Sequence, residues 1–328
     1  MAEYINIKGQ NIEVVASDPA NPTVGQIWYN STSNTLKGAS VTTAGAWATG
    51  NNMNTARRGL GGAGIQTAAL GFGGDIVPIV TGATEQYDGT SWATSNPMNT
   101  TRGFLASAGT QTTALAFGGG DAVGNNKNET EEYDGNSWVN SNPLNTARRA
   151  IAGCGTQTAA LAFGGYDDLP NYSALTEEYD GTSWTSNPTG LNTARYGLAG
   201  AGIQTAALAF GGIDTAATGA TEEYNGSTWT SNPTGLNTAR YDLAGCGIQT
   251  AALAFGGGTP STTGATELYD GSTWTTSPVS LNTTRWRSAA AGTQTSALAF
   301  GGETPPFSAA TEEWTGAGSP LTVTITAS

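Results

Sequence analysis

Charged side chains recur along this chain at positions that could do chemistry. Arginines stand at Arg57, Arg102, Arg148, Arg195, Arg240 and Arg285, and glutamates at Glu85, Glu131, Glu177, Glu222, Glu267 and Glu312. A ring of such groups could line a site for a polar ligand. Alternatively, each arginine pairs with one glutamate and holds strands in register, a job that suits the planar guanidinium fork. Sixfold repetition favours the structural pair, because a ligand site rarely needs the same pair six times. The chain has no histidine, which removes the commonest general base, the usual zinc ligand and the histidine-activated nucleophiles. Asp167 and Asp168 are adjacent carboxylates, but sequence neighbours on one loop are a poor signal for glycoside hydrolysis. No motif supports a calcium site built from aspartate oxygens. No catalytic residue, metal or cofactor is therefore expected. Cys154 and Cys246 fill a position held elsewhere by Ala63, Ala108, Ala201 and Ala291, so they read as inert buried thiols, too far apart to bridge.

The elements that must position these residues come from a repeat. Each copy reads Asn-Thr-(Ala/Thr)-Arg, a Gly/Ala-rich run, Gln-Thr, Phe-Gly-Gly, a variable stretch, Thr-Glu-x-aromatic and, in most copies, a tryptophan. The diglycines begin at Gly73, Gly118, Gly164, Gly211, Gly256 and Gly301, so the gaps are 45, 46, 47, 45 and 45 residues. That period predicts an all-β fold, a six-bladed β-propeller with four antiparallel strands per blade. In the fourth copy, 195–202 reads as the innermost strand and 204–210 as the second. Residues 221–224 form the third strand, followed by an Asn225-Gly226 hairpin turn, and Trp229 opens the outer strand. Tyr179 and Trp184, like their counterparts, read as packing residues rather than sugar-stacking platforms. Asp88, Asp134, Asp180 and Asp270 read as turn formers.

The phase of the copies locates the closure. Trp47 stands ten residues before Arg57, as Trp92 stands ten before Arg102. The last copy carries Trp314 in its tyrosine slot and no outer tryptophan after it. The strand around Trp47 is therefore expected to complete the sixth blade and hide the sheet edges. The alternating strand at 321–326 competes for that place, and Trp47 is favoured.

Gly-Gly, then aromatic-Asp, then tryptophan about five residues on, with an arginine opening each unit, resembles the kelch motif. The resemblance spans roughly residues 45 to 316. Departures are small: Asn225 replaces Asp in the fourth copy, and Trp314 replaces Tyr in the sixth. The resemblance implies partner binding through the face that carries the loops between second and third strands. Those loops are also where the copies differ most. They hold Ile76 and Ile79, Asn125 and Lys127, Tyr166, Asp167, Asp168 and Tyr172, Asp214, and Pro306 with Phe307. Alternating strand direction puts them on the same face as the blade-to-blade connections, where exposed Tyr, Phe, Ile and Asp on a rigid ring make a recognition surface. Drift in unconstrained loops is the bland alternative.

Residues 1–46 are unlike the repeats. They begin with Ile5-Asn6-Ile7 and Ile12-Glu13-Val14-Val15, and 25–30 with 35–38 read as a small β-hairpin. The string PANPTVGQIWYNSTSNTLKG, residues 19–38, closely resembles a module of tail fibres and other structural proteins of bacteriophages. Three segments are expected: a docking extension at 1–46, the propeller at 47–316, and a C-terminal strand at 317–328. The resemblance implies a virion component made in the host cytoplasm. Its leading form is a tail fibre or tail-associated adhesin, docked on other virion proteins through the first segment. The loop face would then meet a host surface glycan or protein, with several copies adding avidity. A capsid or tail decoration protein is the alternative, and a glycan depolymerase ranks below both. Copper oxidases on kelch rings use histidine ligands. Sialidase-type propellers carry Ser-x-Asp-x-Gly-x-Thr-Trp, whereas Asp180-Gly181-Thr182-Ser183-Trp184 places Asp and Gly side by side, and the nine arginines are mostly explained by the repeat.

Composition excludes other classes. A formal charge of -13 repels nucleic acid and anionic membranes. Only 11% of residues are charged and 47 are glycine, which suits tight turns and closely stacked sheets. No apolar run is long enough to span a bilayer, and residues 1–10 have neither the basic nor the apolar region of a secretory signal.

Overall fold

Small residues dominate the first strands of each repeat because neighbouring sheets leave them no room. A Cβ on Gly200 would lie 2.7 Å from the Phe163 ring of the preceding blade, and one on Gly245 would lie 2.3 Å from Phe210. A computed structural model of the chain describes residues 12–19, 25–41, 44–168, 171–317 and 320–325, and every regular element among them is a β-strand. Two units result: 46–314, and a second formed by 1–45 with 315–328.

In the first unit, blade four consists of Ala199–Ile203, Ala206–Phe210, Thr221–Tyr224 and Trp229–Asn232, each antiparallel to the next. Four other sheets have the same order, from Gly61–Ile65 in blade one to Trp274–Thr276 in blade five. Blade six takes Ala289–Gly292, Ser296–Phe300 and Thr311–Thr315 from the end of the array and Ala46–Gly50 from its start. The architecture is thus a β-propeller with Trp47 on the closing strand.

Two details depart from the expected strand limits. Arg195 precedes the inner strand rather than opening it, and Gln204-Thr205 forms the hairpin turn rather than starting the second strand. The physical reason lies in the glutamine side chain. Its amide donates to Ala160 O at 3.0 Å and Tyr179 O at 2.6 Å in blade three, so it bridges blades from a turn. Gln66, Gln111, Gln157, Gln249 and Gln294 do the same, and Gln66 of blade one reaches Ala297 and Trp314 of blade six.

Further contacts close the ring with the same regularity. Each outer tryptophan donates Nε1 to a threonine of the preceding blade: Trp184 to Thr130 at 2.9 Å, Trp92 to Thr311 at 2.9 Å, and Trp47 to Thr266 at 3.0 Å. Each also packs at a steep angle against that blade's phenylalanine, with ring centres 4.8 Å apart for Trp184 and Phe117 and 5.0 Å for Trp47 and Phe255. Trp47 therefore occupies the slot that the repeat phase assigned to it.

The one break in the aromatic pattern is compensated. Tyr224 donates its hydroxyl to Glu178 and Tyr87 to Glu313, each on the third strand of the preceding blade. Blade six has Trp314 in place of tyrosine, and the facing position in blade five is Leu268, which packs against the cluster containing Trp314. Leucine fits there because the indole has no hydroxyl to satisfy. Trp314→Tyr alone should therefore destabilise the chain, and adding Leu268→Glu should recover part of the loss. A double-mutant cycle should give a coupling of about 1 kcal/mol or more; additive effects in chemical denaturation would contradict this pairing.

The third-to-outer turns are held by aspartate. Asp270 accepts from the backbone of Ser272 at 2.9 Å and Thr273 at 2.8 Å, and Asp88, Asp134 and Asp180 repeat the arrangement. The backbone donors, led by Thr273, hold the Asp270 carboxyl at about 2, and the other three are shifted the same way. A depressed folded pKa gives stability that is present above the unfolded value and lost as protons bind. Melting temperature should accordingly fall as pH drops from 3.8 toward about 2. Asparagine already does this job at Asn225 without titrating. Replacing the four aspartates by asparagine should flatten that part of the profile, and an unchanged slope would assign it to other carboxylates.

In the second unit, Ile27–Asn30 and Thr35–Val41 form the expected hairpin, with Glu13–Val15 parallel on one side and Pro320–Thr324 antiparallel on the other. The C-terminal strand thus belongs to this sheet and not to blade six. Asp18 binds the hairpin through Asn30 Nδ2 at 2.7 Å, Trp28 Nε1 at 3.0 Å and Lys37 Nζ at 3.1 Å, and Trp28 is fully buried. Ile5, Asn6, Ile7 and residues 20–24 lie outside the described residues.

Candidate functional site

The repeated charges are committed to the framework. Arg240 Nη2 lies 2.8 Å from Glu267 Oε1, and its Nη1 donates to Gly256 O at 2.9 Å and Ala265 O at 2.7 Å. Glu267 in turn accepts from the backbone of Asn237 at 2.7 Å and Thr238 at 3.4 Å, fixing the Asn-Thr-x-Arg turn. Arg57–Glu85, Arg102–Glu131, Arg148–Glu177, Arg195–Glu222 and Arg285–Glu312 repeat the pair, and all six arginines are fully buried. Burial pushes the Arg57 guanidinium down to about 10, with Glu85 opposing the shift, so it stays a cation at neutral pH.

The chain then turns sharply two residues beyond each of these arginines. Gly59, Phe104, Ala150, Gly197, Asp242 and Arg287 all have positive φ, between 47° and 62°. Each donates its N–H to the carbonyl of its counterpart in the preceding blade, over 2.6 to 3.0 Å, and Gly59 completes the circle by donating to Arg287. Six left-handed residues thus form a closed hydrogen-bonded collar at the mouth of the channel. For Phe104, Ala150, Asp242 and Arg287 that conformation carries strain, which the collar offsets. The residue between arginine and collar pairs with the first residue after the diglycine: Arg58 with Asp75, Gly103 with Gly120, Arg149 with Tyr166, Tyr196 with Ile213, Tyr241 with Gly258, and Trp286 with Glu303. The variable loops are therefore fastened directly to the mouth.

This mouth gathers the chemistry that the blades leave over. Of the nine arginines, the three outside the blade pairs, Arg58, Arg149 and Arg287, all line one cavity of about 540 Å³. Arg58 pairs with Asp75 at 3.3 Å and Glu303 at 2.7 Å; Arg287 pairs with Asp242 at 2.7 Å and Glu303 at 3.4 Å. Arg149 donates to Gly124 O and lies 5.2 Å from the centre of the Tyr166 ring. The Arg58 and Arg287 guanidiniums also face aromatic rings, at 4.7 Å from Phe307 and 4.5 Å from Trp286. Tyr166, Tyr172 and Tyr196 form a cluster with ring centres 5.0 to 6.3 Å apart. Burial pushes the Asp242 and Asp75 carboxyls up, opposed by Arg287 and Arg58 respectively. A second depression of about 720 Å³ adjoins the first and shares Gly124, Arg149 and Tyr166 with it.

The loop residues singled out from sequence separate into groups. Ile79 and Tyr166 line the cavity, Phe307 lies under Arg58, and Tyr172 stacks on Tyr196. Asn125 and Lys127 hold their own loop through Asp121, with Asn125 also lining the second depression, and Asp214 caps its own turn through Thr215 and Ala216. Ile76 bonds back to Ile79, Pro306 is exposed at its loop tip, and Asp167 lines the second depression. Asp168 pairs through its backbone with Asn171; its side chain, with Leu169 and Pro170, lies outside the described residues. The mouth residues beside the collar were not singled out. Their signal is the pair that follows each repeat arginine, which reads RG, GF, RA, YG, YD and WR in otherwise uniform copies.

Cys154 and Cys246 are free and buried, and burial pushes both thiols up to about 12. Among the described residues no group of three or more Cys, Asp or Glu could hold a metal ion, and no helix is long and apolar enough to cross a membrane. No protein-family model matches the chain, and no curated protein sequence matches it.

Proposed function

We propose that the chain is a non-enzymatic recognition module of the kelch type, carried on a bacteriophage virion as a tail fibre or tail-associated adhesin. It meets the host surface with the mouth of the propeller and attaches to other virion proteins through the N-terminal segment. One observation carries the recognition part: every arginine that the blades leave over converges with loop aromatics on a single face. A framework that repeats six times has no need of this asymmetry, so the asymmetry supports a ligand. The carboxylates Asp75, Asp242 and Glu303 are each paired with a guanidinium, which favours holding a ligand over proton transfer. The kelch assignment rests on the per-blade motif, and the virion assignment on the string at 19–38. Electron cryo-microscopy of particles carrying this chain tests both location and orientation. Density at a tail fibre or tail tip with the mouth outward is expected. Density spread over the capsid lattice would make the chain a decoration protein, and absence from every particle would end the virion assignment.

A further inference from the structure

We propose that the mouth binds an acidic saccharide, with the sugar carboxylate on Arg149 and sugar rings against Tyr166 and Tyr196. This rests on the reading of the variable face as the recognition surface. The cavity of about 540 Å³ is in the range of small-ligand sites. Arg149 and Tyr166 belong to both this cavity and the adjoining depression, so an oligosaccharide can pass over them from one to the other.

The charges narrow the ligand class. Arg58 and Arg287 are already neutralised by Asp75, Asp242 and Glu303. Arg149 has no carboxylate within ion-pair distance among the described side chains; its contacts are one carbonyl and one ring. Among the described side chains, the site thus offers one cation without a carboxylate partner, set among carboxylates and tyrosines. A polyanion would meet Asp75 and Asp242 at close range and the formal charge of -13 at long range. A purely apolar ligand would desolvate three guanidiniums without replacing their hydrogen bonds. A saccharide with a single carboxylate satisfies both limits. Its carboxylate takes the planar fork of Arg149, its hydroxyls donate to Asp75 and Asp242, and its C–H faces lie on the tyrosine rings.

The test titrates the full chain with uronate- and N-acetylneuraminate-terminated oligosaccharides, and with the same oligosaccharides after reduction of the carboxylate to an alcohol. The acids should bind about tenfold or more tightly than the alcohols, the advantage of a charge-assisted pair. Arg149→Gln should remove that advantage without weakening the alcohols further. Tyr166→Ala should weaken both forms, and melting curves identify any variant that has simply unfolded. Equal binding of acid and alcohol, or no binding of either, overturns the inference. Particle adsorption separates it from the underlying reading. If Arg149→Gln blocks adsorption while the acids fail to bind, the mouth recognises something else and this inference falls. If adsorption is untouched by both variants, the recognition reading itself falls.

Discussion

Replacing Arg195 by alanine is expected to lower the melting temperature by on the order of 10 °C, because breaking a buried ion pair costs about 3–5 kcal/mol. The guanidinium is fully buried and its Nη2 lies 3.1 Å from Glu222 Oε1. Its loss strands the Glu222 carboxylate and removes one of the two donors to Ala220 O, which keeps the Gly211 N–H. Glu222 also binds the backbone of Asn192 at 2.6 Å, so the turn into blade four loosens with the pair. Arg195→Met combined with Glu222→Leu should recover much of the stability, since an apolar pair removes the desolvation problem. Scanning calorimetry of the two variants decides the matter. An Arg195→Ala chain that melts like wild type would mean that the pairs are not structural.

The second large effect concerns closure. Trp47→Ala should cost about 3–5 kcal/mol, the range for deleting a buried large aromatic, and should match Trp184→Ala within measurement. The two indoles make equivalent contacts, with a threonine hydroxyl at 3.0 and 2.9 Å and a phenylalanine ring at 5.0 and 4.8 Å. They differ in sequence distance: Trp47 reaches a partner 219 residues away, and Trp184 one 54 residues away. Weakening the closing strand also bares the edge of blade six, so the variant should aggregate more readily on heating. A mild Trp47→Ala beside a severe Trp184→Ala would place closure elsewhere in the chain.

Much of this framework is legible in the sequence because each blade repeats its own instructions. Glycine, alanine, the Phe-Gly-Gly ending and the Tyr/Trp pair recur in register, and six concordant copies average out local ambiguity. Legibility fails where a side chain works against its usual habit. Gln204 carries no turn signature, and only its two carbonyl partners across the blade boundary explain why the chain reverses there. The alternating pattern at 321–326 identifies a strand but cannot name its neighbour, which is Thr35–Val41.

The mouth was half legible. Loop variation pointed to Tyr166, Ile79 and Phe307, yet the collar and the arginines beside it were hidden. Glycine marks the left-handed position only at Gly59 and Gly197; Phe104, Ala150, Asp242 and Arg287 adopt it without any sequence signal. Arg58, Arg149 and Arg287 stand next to framework arginines or one residue from them, so they read as part of the repeat. The cavity they share, together with the variation of the pair after each repeat arginine, distinguishes them.

That division of labour between adjacent arginines can be tested directly. Particles carrying Arg148→Ala or Arg149→Ala should be compared for melting of the propeller and for adsorption to host cells. Arg148→Ala should melt early, whereas Arg149→Ala should melt like wild type and adsorb poorly. An Arg149→Ala particle that adsorbs like wild type would contradict the assignment of the mouth as the recognition site.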